Sequence, residues 1–154
     1  HVSSIVDAYN TSLVRSTPTA LSQARGFFAA TTVGNYALFG GGNPSSNYYS
    51  STVDAYNTSL VRSTPTALSQ ARAYSAATTV GNYGLFGGGS PTSNSYSSTV
   101  DAYNTSLVRS TSKALSQARR SLAATTVGNY GLFAGGGEYT SLSVFDAVDV
   151  YCVD

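Results

Sequence analysis

The sequence predicts an all-β chain assembled from repeated four-stranded antiparallel units. Three observations carry that expectation. The stretch Val-Asp-Ala-Tyr-Asn-Thr-Ser-Leu-Val-Arg begins at Val6, Val53 and Val100, always 47 residues on, and Ala-Ala-Thr-Thr-Val-Gly-Asn-Tyr begins at Ala29, Ala76 and Ala123 with the same spacing. Each period holds several short β-branched or aromatic runs separated by Gly, Pro, Asn and Ser, which is the pattern of strands and turns. No segment combines the length and the 3.6-residue periodicity of a packed helix. Four short antiparallel strands in a period of about 40–50 residues mark the blade of a β-propeller.

The elements follow in order along one period. Phe28–Val33 is small and β-branched, a first strand. Gly34-Asn35 is a two-residue hairpin signal, because both positions tolerate the positive φ that a tight turn demands. Tyr36–Phe39 is a second strand, stopped by Gly40-Gly41-Gly42. A polar, Pro-containing loop follows from Asn43 to Asn47. Ser51–Tyr56 alternates well enough for a third strand, Asn57-Thr58-Ser59 turns the chain, and Leu60–Thr64 is a short fourth. Pro65–Arg72 crosses to the next unit and is too short for a stable helix. The repeats therefore run over about 4–50, 51–97 and 98–144 of a single domain, 1–154, with a terminal strand in 144–154. The chain is expected to start in mid-blade, with Val2–Tyr9 as a third strand and Leu13–Ser16 as a fourth. It is expected to finish on another third strand, Val144–Tyr151.

The order of residues in this period resembles the kelch repeat: Arg25, Ala29-Ala30, Gly34-Asn35-Tyr36, Gly40-Gly41, then Val53-Asp54-Ala55-Tyr56-Asn57. The resemblance covers essentially the whole chain. The outer-strand Trp usual in that family is replaced by Leu13, Leu60 and Leu107. What the resemblance implies is an all-β propeller of kelch-like blades, about three per chain, or half of a six-bladed ring. A second copy is then the expected partner, a homodimer completing six blades, because three repeats alone leave open blade faces and unpaired edges.

Composition narrows the function. Charged residues are only 10% of the chain and the net charge is +1, so neither nucleic acid nor an anionic membrane is an expected partner. No run approaches the roughly 18 apolar residues of a membrane-spanning helix. The single cysteine, Cys152, makes no internal disulfide, and with one histidine, His1, no metal centre or cofactor is expected. Kelch-type copper oxidases need several imidazoles, so an oxidase or lyase reading is disfavoured. Catalysis needs unlike groups converging on one point, whereas near-identical repeats present like groups at rotated positions. No catalytic residue is therefore expected. The favoured reading is a non-enzymatic binding or scaffold module that self-associates. The alternative is a purely structural, recently amplified or engineered repeat without a ligand. Compartment is left open, with an extracellular or cell-surface setting favoured over the cytoplasm.

Candidate binding residues come from the one segment that varies while its surroundings repeat, the loop after each Gly run. It carries Asn47, Tyr48, Tyr49, Asn94, Tyr96, Glu138 and Tyr139. Tyr, Asn and Ser form adaptable recognition surfaces, and loops held by a rigid scaffold commonly carry binding. Arg25, Arg72 and Arg119, just before each first strand, are candidates for positive charge on that face, suited to a protein or glycan ligand. Their competing reading is structural, tying loop carbonyls or a neighbouring Asp in place. The three Gly runs lack the following helix and lysine of a phosphate loop and read as strand ends that need positive φ.

Overall fold

A computed structural model describes residues 1–138 and 143–152. Its strands are β1 (Ala8–Tyr9), β2 (Arg15–Ser16), β3 (Ala29–Val33), β4 (Tyr36–Gly40), β5 (Val53–Tyr56), β6 (Arg62–Ser63), β7 (Ala76–Val80), β8 (Tyr83–Gly87), β9 (Val100–Asn104), β10 (Arg109–Thr111), β11 (Ala123–Val127), β12 (Tyr130–Ala134) and β13 (Val148–Cys152). They form two four-stranded sheets, β3-β4-β5-β6 and β7-β8-β9-β10, one three-stranded sheet, β11-β12-β13, and an N-terminal pair, β1-β2. All pairings between successive strands are antiparallel, as in Ala29↔Gly40 and Val33↔Tyr36. The expected blades are therefore present: two of four strands, a third with three strands among the described residues, and an N-terminal pair ahead of them.

Most strand boundaries contract relative to expectation. The fourth strands begin two residues late because Leu13, Leu60 and Leu107 adopt left-handed backbone, with φ of 58°, 59° and 61°. Each turn is held by its Asn: the Asn57 Oδ1 accepts from the N–H groups of Ser59 and Val61 at 3.0 and 2.9 Å. Of Val2–Tyr9, only Ala8–Tyr9 forms a strand, paired with Arg15–Ser16. The last strand is Val148–Cys152 rather than Val144–Tyr151.

Blades pack face to face through a repeated apolar contact. Val33, Leu38, Val53 and Ala55 of the first blade cluster with Phe86 and Tyr103 of the second. Val80, Leu85, Val100 and Ala102 of the second cluster in the same way with Phe133 of the third. Close approach depends on two glycines that end β4 and β8. A methyl on Gly40 would sit 2.8 Å from Phe86 Cε1, and one on Gly87 2.8 Å from Phe133 Cε1. Along the innermost strands, threonines link neighbours: Thr31 Oγ1 and Thr79 Oγ1 are 2.9 Å apart, and Thr78 and Thr126 repeat the contact at 2.8 Å.

Candidate functional site

Each crossover into a first strand is pinned to the loop that follows the second strand. Gly26 and Asn43 exchange backbone hydrogen bonds at 2.9 and 2.8 Å, Ala73 and Ser90 at 3.0 and 2.7 Å, and Arg120 and Gly137 at 3.3 and 3.1 Å. The crossovers and the variable loops consequently share one end of every blade, as the sequence pattern predicts.

The arginines are placed differently from the binding expectation. Arg25, Arg72 and Arg119 are fully buried. Arg25 Nη2 lies 2.9 Å from Asp54 Oδ2, Arg72 Nη2 2.8 Å from Asp101 Oδ2, and Arg119 Nη2 2.8 Å from Asp149 Oδ2. The same nitrogen donates to the carbonyl of Phe39, Phe86 or Phe133 on the second strand. Each guanidinium thus ties the crossover to the second and third strands of its own blade, and it offers no charge to the outer surface. The aspartates accept further bonds: Asp54 from the Ser22 N–H at 3.2 Å, and Asp101 from the Ser69 N–H at 3.2 Å. Arg109 reaches Asp101 at 3.0 Å, so the outer-strand arginine of the second blade is partly buried rather than solvated. Tyrosines on the third strands complete the staple. Tyr56 and Tyr103 donate to the carbonyls of Thr19 and Thr66 at 2.8 and 2.7 Å, and burial raises the pKa of both phenols.

Of the loop candidates, Asn47, Tyr48 and Asn94 are exposed, while Tyr49, Tyr96 and Glu138 are half-buried. Tyr139 lies outside the described residues. Asn47 holds a left-handed conformation, φ 68°, at the tip of its loop.

A second variable segment joins them on the same face. Between the invariant Ser-Gln-Ala-Arg and Ala-Ala-Thr-Thr, the three repeats read Gly26-Phe27-Phe28, Ala73-Tyr74-Ser75 and Arg120-Ser121-Leu122. The middle residue of each is left-handed, with φ of 55°, 57° and 54° at Phe27, Tyr74 and Ser121. Bulky residues rarely adopt that conformation, and it costs roughly 1–3 kcal/mol unless the surroundings enforce it. Here they do. The Tyr74 N–H donates to the Phe27 carbonyl and the Ser121 N–H to the Tyr74 carbonyl, both at 2.9 Å, linking blade to blade. The Phe27 and Tyr74 rings stack with centroids 4.5 Å apart, and the Arg120 guanidinium lies 5.0 Å from the Tyr74 centroid. A cleft of about 480 Å³ opens beside this stack, lined by Phe27, Tyr74, Asn43, Pro44, Ser45 and Ser46 together with the N-terminal residues.

Sequence reasoning passed over Phe27, Tyr74, Arg120 and Ser121. The signal that finds them is the one that found the loops: they differ among repeats whose flanks are identical. The surface they form offers aromatic faces, hydroxyls, amides and one guanidinium. Among the described residues, no group of three or more His, Cys, Asp or Glu side chains is placed to hold a metal ion.

All-β architecture, repeated antiparallel blades and blade-on-blade packing define a β-propeller fold. A solved structure of the same fold, that of YjhT, superimposes on 97% of this chain with a TM-score of 0.79 at 16% sequence identity. The chain spans about half of that protein, 49% of its length. No protein-family model matches the sequence, and no curated protein sequence matches it.

Proposed function

We propose that this chain is a kelch-like, non-enzymatic half-propeller that a second copy closes into a six-bladed ring, presenting the crossover-and-loop face for recognition. The observation that carries the reading is the contrast between equivalent residues. Val33 and Val80 are 0% and 3% exposed, but Val127 of the third blade is 59% exposed; Val53 and Val100 are 0% exposed, but Val148 is 57%. In the first two blades the covering surface is the Phe and Tyr of the next blade, Phe86 with Tyr103 and then Phe133. The matching Phe of the first blade, Phe39, is only half-buried at the other end of the same chain. The face and the surface that would cover it are thus both in one sequence, and a second copy supplies each to the other. The chain matches 49% of a longer protein of the same fold, a length that two such chains would make up.

A Lys at position 127 places a charge in the centre of the proposed contact. Wild type is expected to sediment as a dimer of twice the 15.9 kDa chain mass, and Val127→Lys as a folded monomer. Wild type that remains monomeric at every concentration contradicts the ring.

The recognition part of the proposal rests on two variable segments converging on one face of a rigid scaffold. With Arg25, Arg72 and Arg119 buried, this surface is aromatic and hydroxyl-rich. Replacing Tyr48 and Tyr74 with Ser is expected to abolish binding to any protein or glycan found to associate with the ring. Unchanged affinity removes this face from consideration.

A further inference from the structure

We infer that the cleft beside the Phe27–Tyr74 stack binds a neutral sugar, a pyranose with equatorial hydroxyls laid flat against Phe27. The inference rests on the recognition face proposed above and names its ligand; it does not depend on closure of the ring. Glycine and asparagine carry left-handed backbone at low cost, and this chain uses both for it, as at Gly34 and Asn47. Positions 27 and 74 hold large aromatic residues in that conformation instead, with φ of 55° and 57°. Core packing does not account for them. Phe27 is 60% exposed, and neither ring belongs to the apolar clusters between the blades. Their mutual stack covers one face of Phe27. Backbone strain kept in order to display exposed rings points to a use for the rings.

The rest of the cleft narrows the ligand. Its volume of about 480 Å³ falls within the roughly 300–1,000 Å³ of small-ligand clefts. Ser45 and Ser46 are exposed and bring their hydroxyls to its wall. That wall is fixed, because Gly26 and Asn43 exchange backbone bonds and the Tyr48 N–H donates to the Ser45 carbonyl at 3.1 Å. The same pairing leaves an extended peptide no free ladder between Gly26 and Asn43 to which it could add a strand. Among the described residues, no Lys, Arg, Asp or Glu lines the cleft, so an ionised ligand finds no counter-charge there.

An equatorial pyranose meets these demands together. Its axial C–H bonds form a flat apolar face for the ring of Phe27. Its rim of hydroxyls donates to and accepts from the serine hydroxyls. The site also occurs in one place along the repeats. Tyr74 is covered by Phe27 on one side and by the Arg120 guanidinium, 5.0 Å from its centroid, on the other. The third equivalent position is Ser121, which has no ring. Among the described residues the crossovers therefore offer one open aromatic face per chain, at Phe27.

The test titrates the full chain by calorimetry with cellotetraose and chitotetraose, both neutral chains of equatorial pyranoses. Tetragalacturonate is the anionic control and a proline-rich peptide the protein-like one. Wild type is expected to bind a neutral tetrasaccharide at one site per chain, at least about tenfold more tightly than tetragalacturonate. Phe27→Asn keeps a residue that tolerates left-handed backbone and removes the ring. It is expected to weaken sugar binding at least about tenfold while the urea midpoint holds or rises. A midpoint that falls along with the affinity means that the ring serves the fold, and overturns the inference. So does wild type that binds neither neutral sugar, that binds tetragalacturonate as tightly, or whose sugar affinity survives Phe27→Asn. Binding of the proline-rich peptide alone, lost in Tyr48→Ser with Tyr74→Ser, overturns the sugar and leaves the recognition face standing.

Discussion

Asp101→Asn isolates the interaction on which each blade depends. The carboxylate is fully buried and gathers the Ser69 N–H at 3.2 Å, Arg72 at 2.8 Å and Arg109 at 3.0 Å. Neutralising it leaves the Arg72 side chain, itself fully buried, without a counter-charge. Breaking one partner of a buried ion pair costs about 3–5 kcal/mol. That is a large share of the roughly 5–15 kcal/mol by which a domain is stable. With a urea dependence of about 1–3 kcal/mol per molar, the unfolding midpoint is expected to fall by roughly 2 M. The internal control is Asp7→Asn, whose pair with Arg15 is 41% and 60% exposed on its two side chains; screened surface pairs contribute about 1 kcal/mol or less. Urea titration followed by far-ultraviolet circular dichroism, at a concentration where the chain is monomeric, measures both. Joint replacement, Arg72→Met with Asp101→Leu, is expected to recover most of the loss, because apolar groups in place of a buried pair are often neutral or better. An Asp101→Asn protein within about 1 kcal/mol of wild type refutes the reasoning, since no buried charge of ordinary cost could then be present.

Three further outcomes follow from the same structure. Gly87→Ala sets a methyl 2.8 Å from Phe133 Cε1 and is expected to destabilise the chain by about 1–3 kcal/mol in the same titration; no change means that blade spacing is not set there. Burial raises the Asp149 carboxyl, but bonds from the Ser116 N–H, the Arg119 guanidinium and the Ser116 hydroxyl outweigh it and hold its pKa below the ordinary 3.8. A depressed carboxyl contributes fully above the unfolded value and is lost as pH falls through the folded one, so β13 is expected to loosen below pH 3.8, with an Asp149→Asn chain insensitive in that window. At the alkaline end, burial, with the Asp149 charge adding to it, pushes the Tyr151 phenol up to about 12 from 10.0. The neutral form is the stabilised one, so its contribution holds below pH 10 and is lost toward pH 12; tyrosinate absorbance should show Tyr56, Tyr103 and Tyr151 ionising only as the blades open.

Much of this architecture was legible because repetition multiplies weak signals. Ala-Ala-Thr-Thr-Val followed by Gly-Asn is an ambiguous hairpin once and a compelling one three times, and β3-β4, β7-β8 and β11-β12 all form there with identical register. Strand length was harder to read. Leu60 has the composition of a strand residue, yet the Asn57 side chain captures the N–H of Ser59 and Val61 and bends the backbone through it. Direction was harder still. Arg25 and Phe27 are two residues apart on one crossover; the first turns inward to Asp54 and the second outward, and that choice is made by a partner far along the chain. The loop residues were found by their variation, and the same criterion applied one segment earlier finds Phe27, Tyr74 and Arg120.

Whether the open faces are halves of one interface is tested most directly by solution X-ray scattering over a concentration series. A closed two-chain ring has the mass of two copies and a compact particle's radius of gyration, about 19 Å for twice 154 residues. The account expects convergence on that mass and radius at high concentration, with no larger species, because closure leaves no edge to extend. A mass fixed at one chain, or one that keeps rising with concentration as an open stack would, contradicts it.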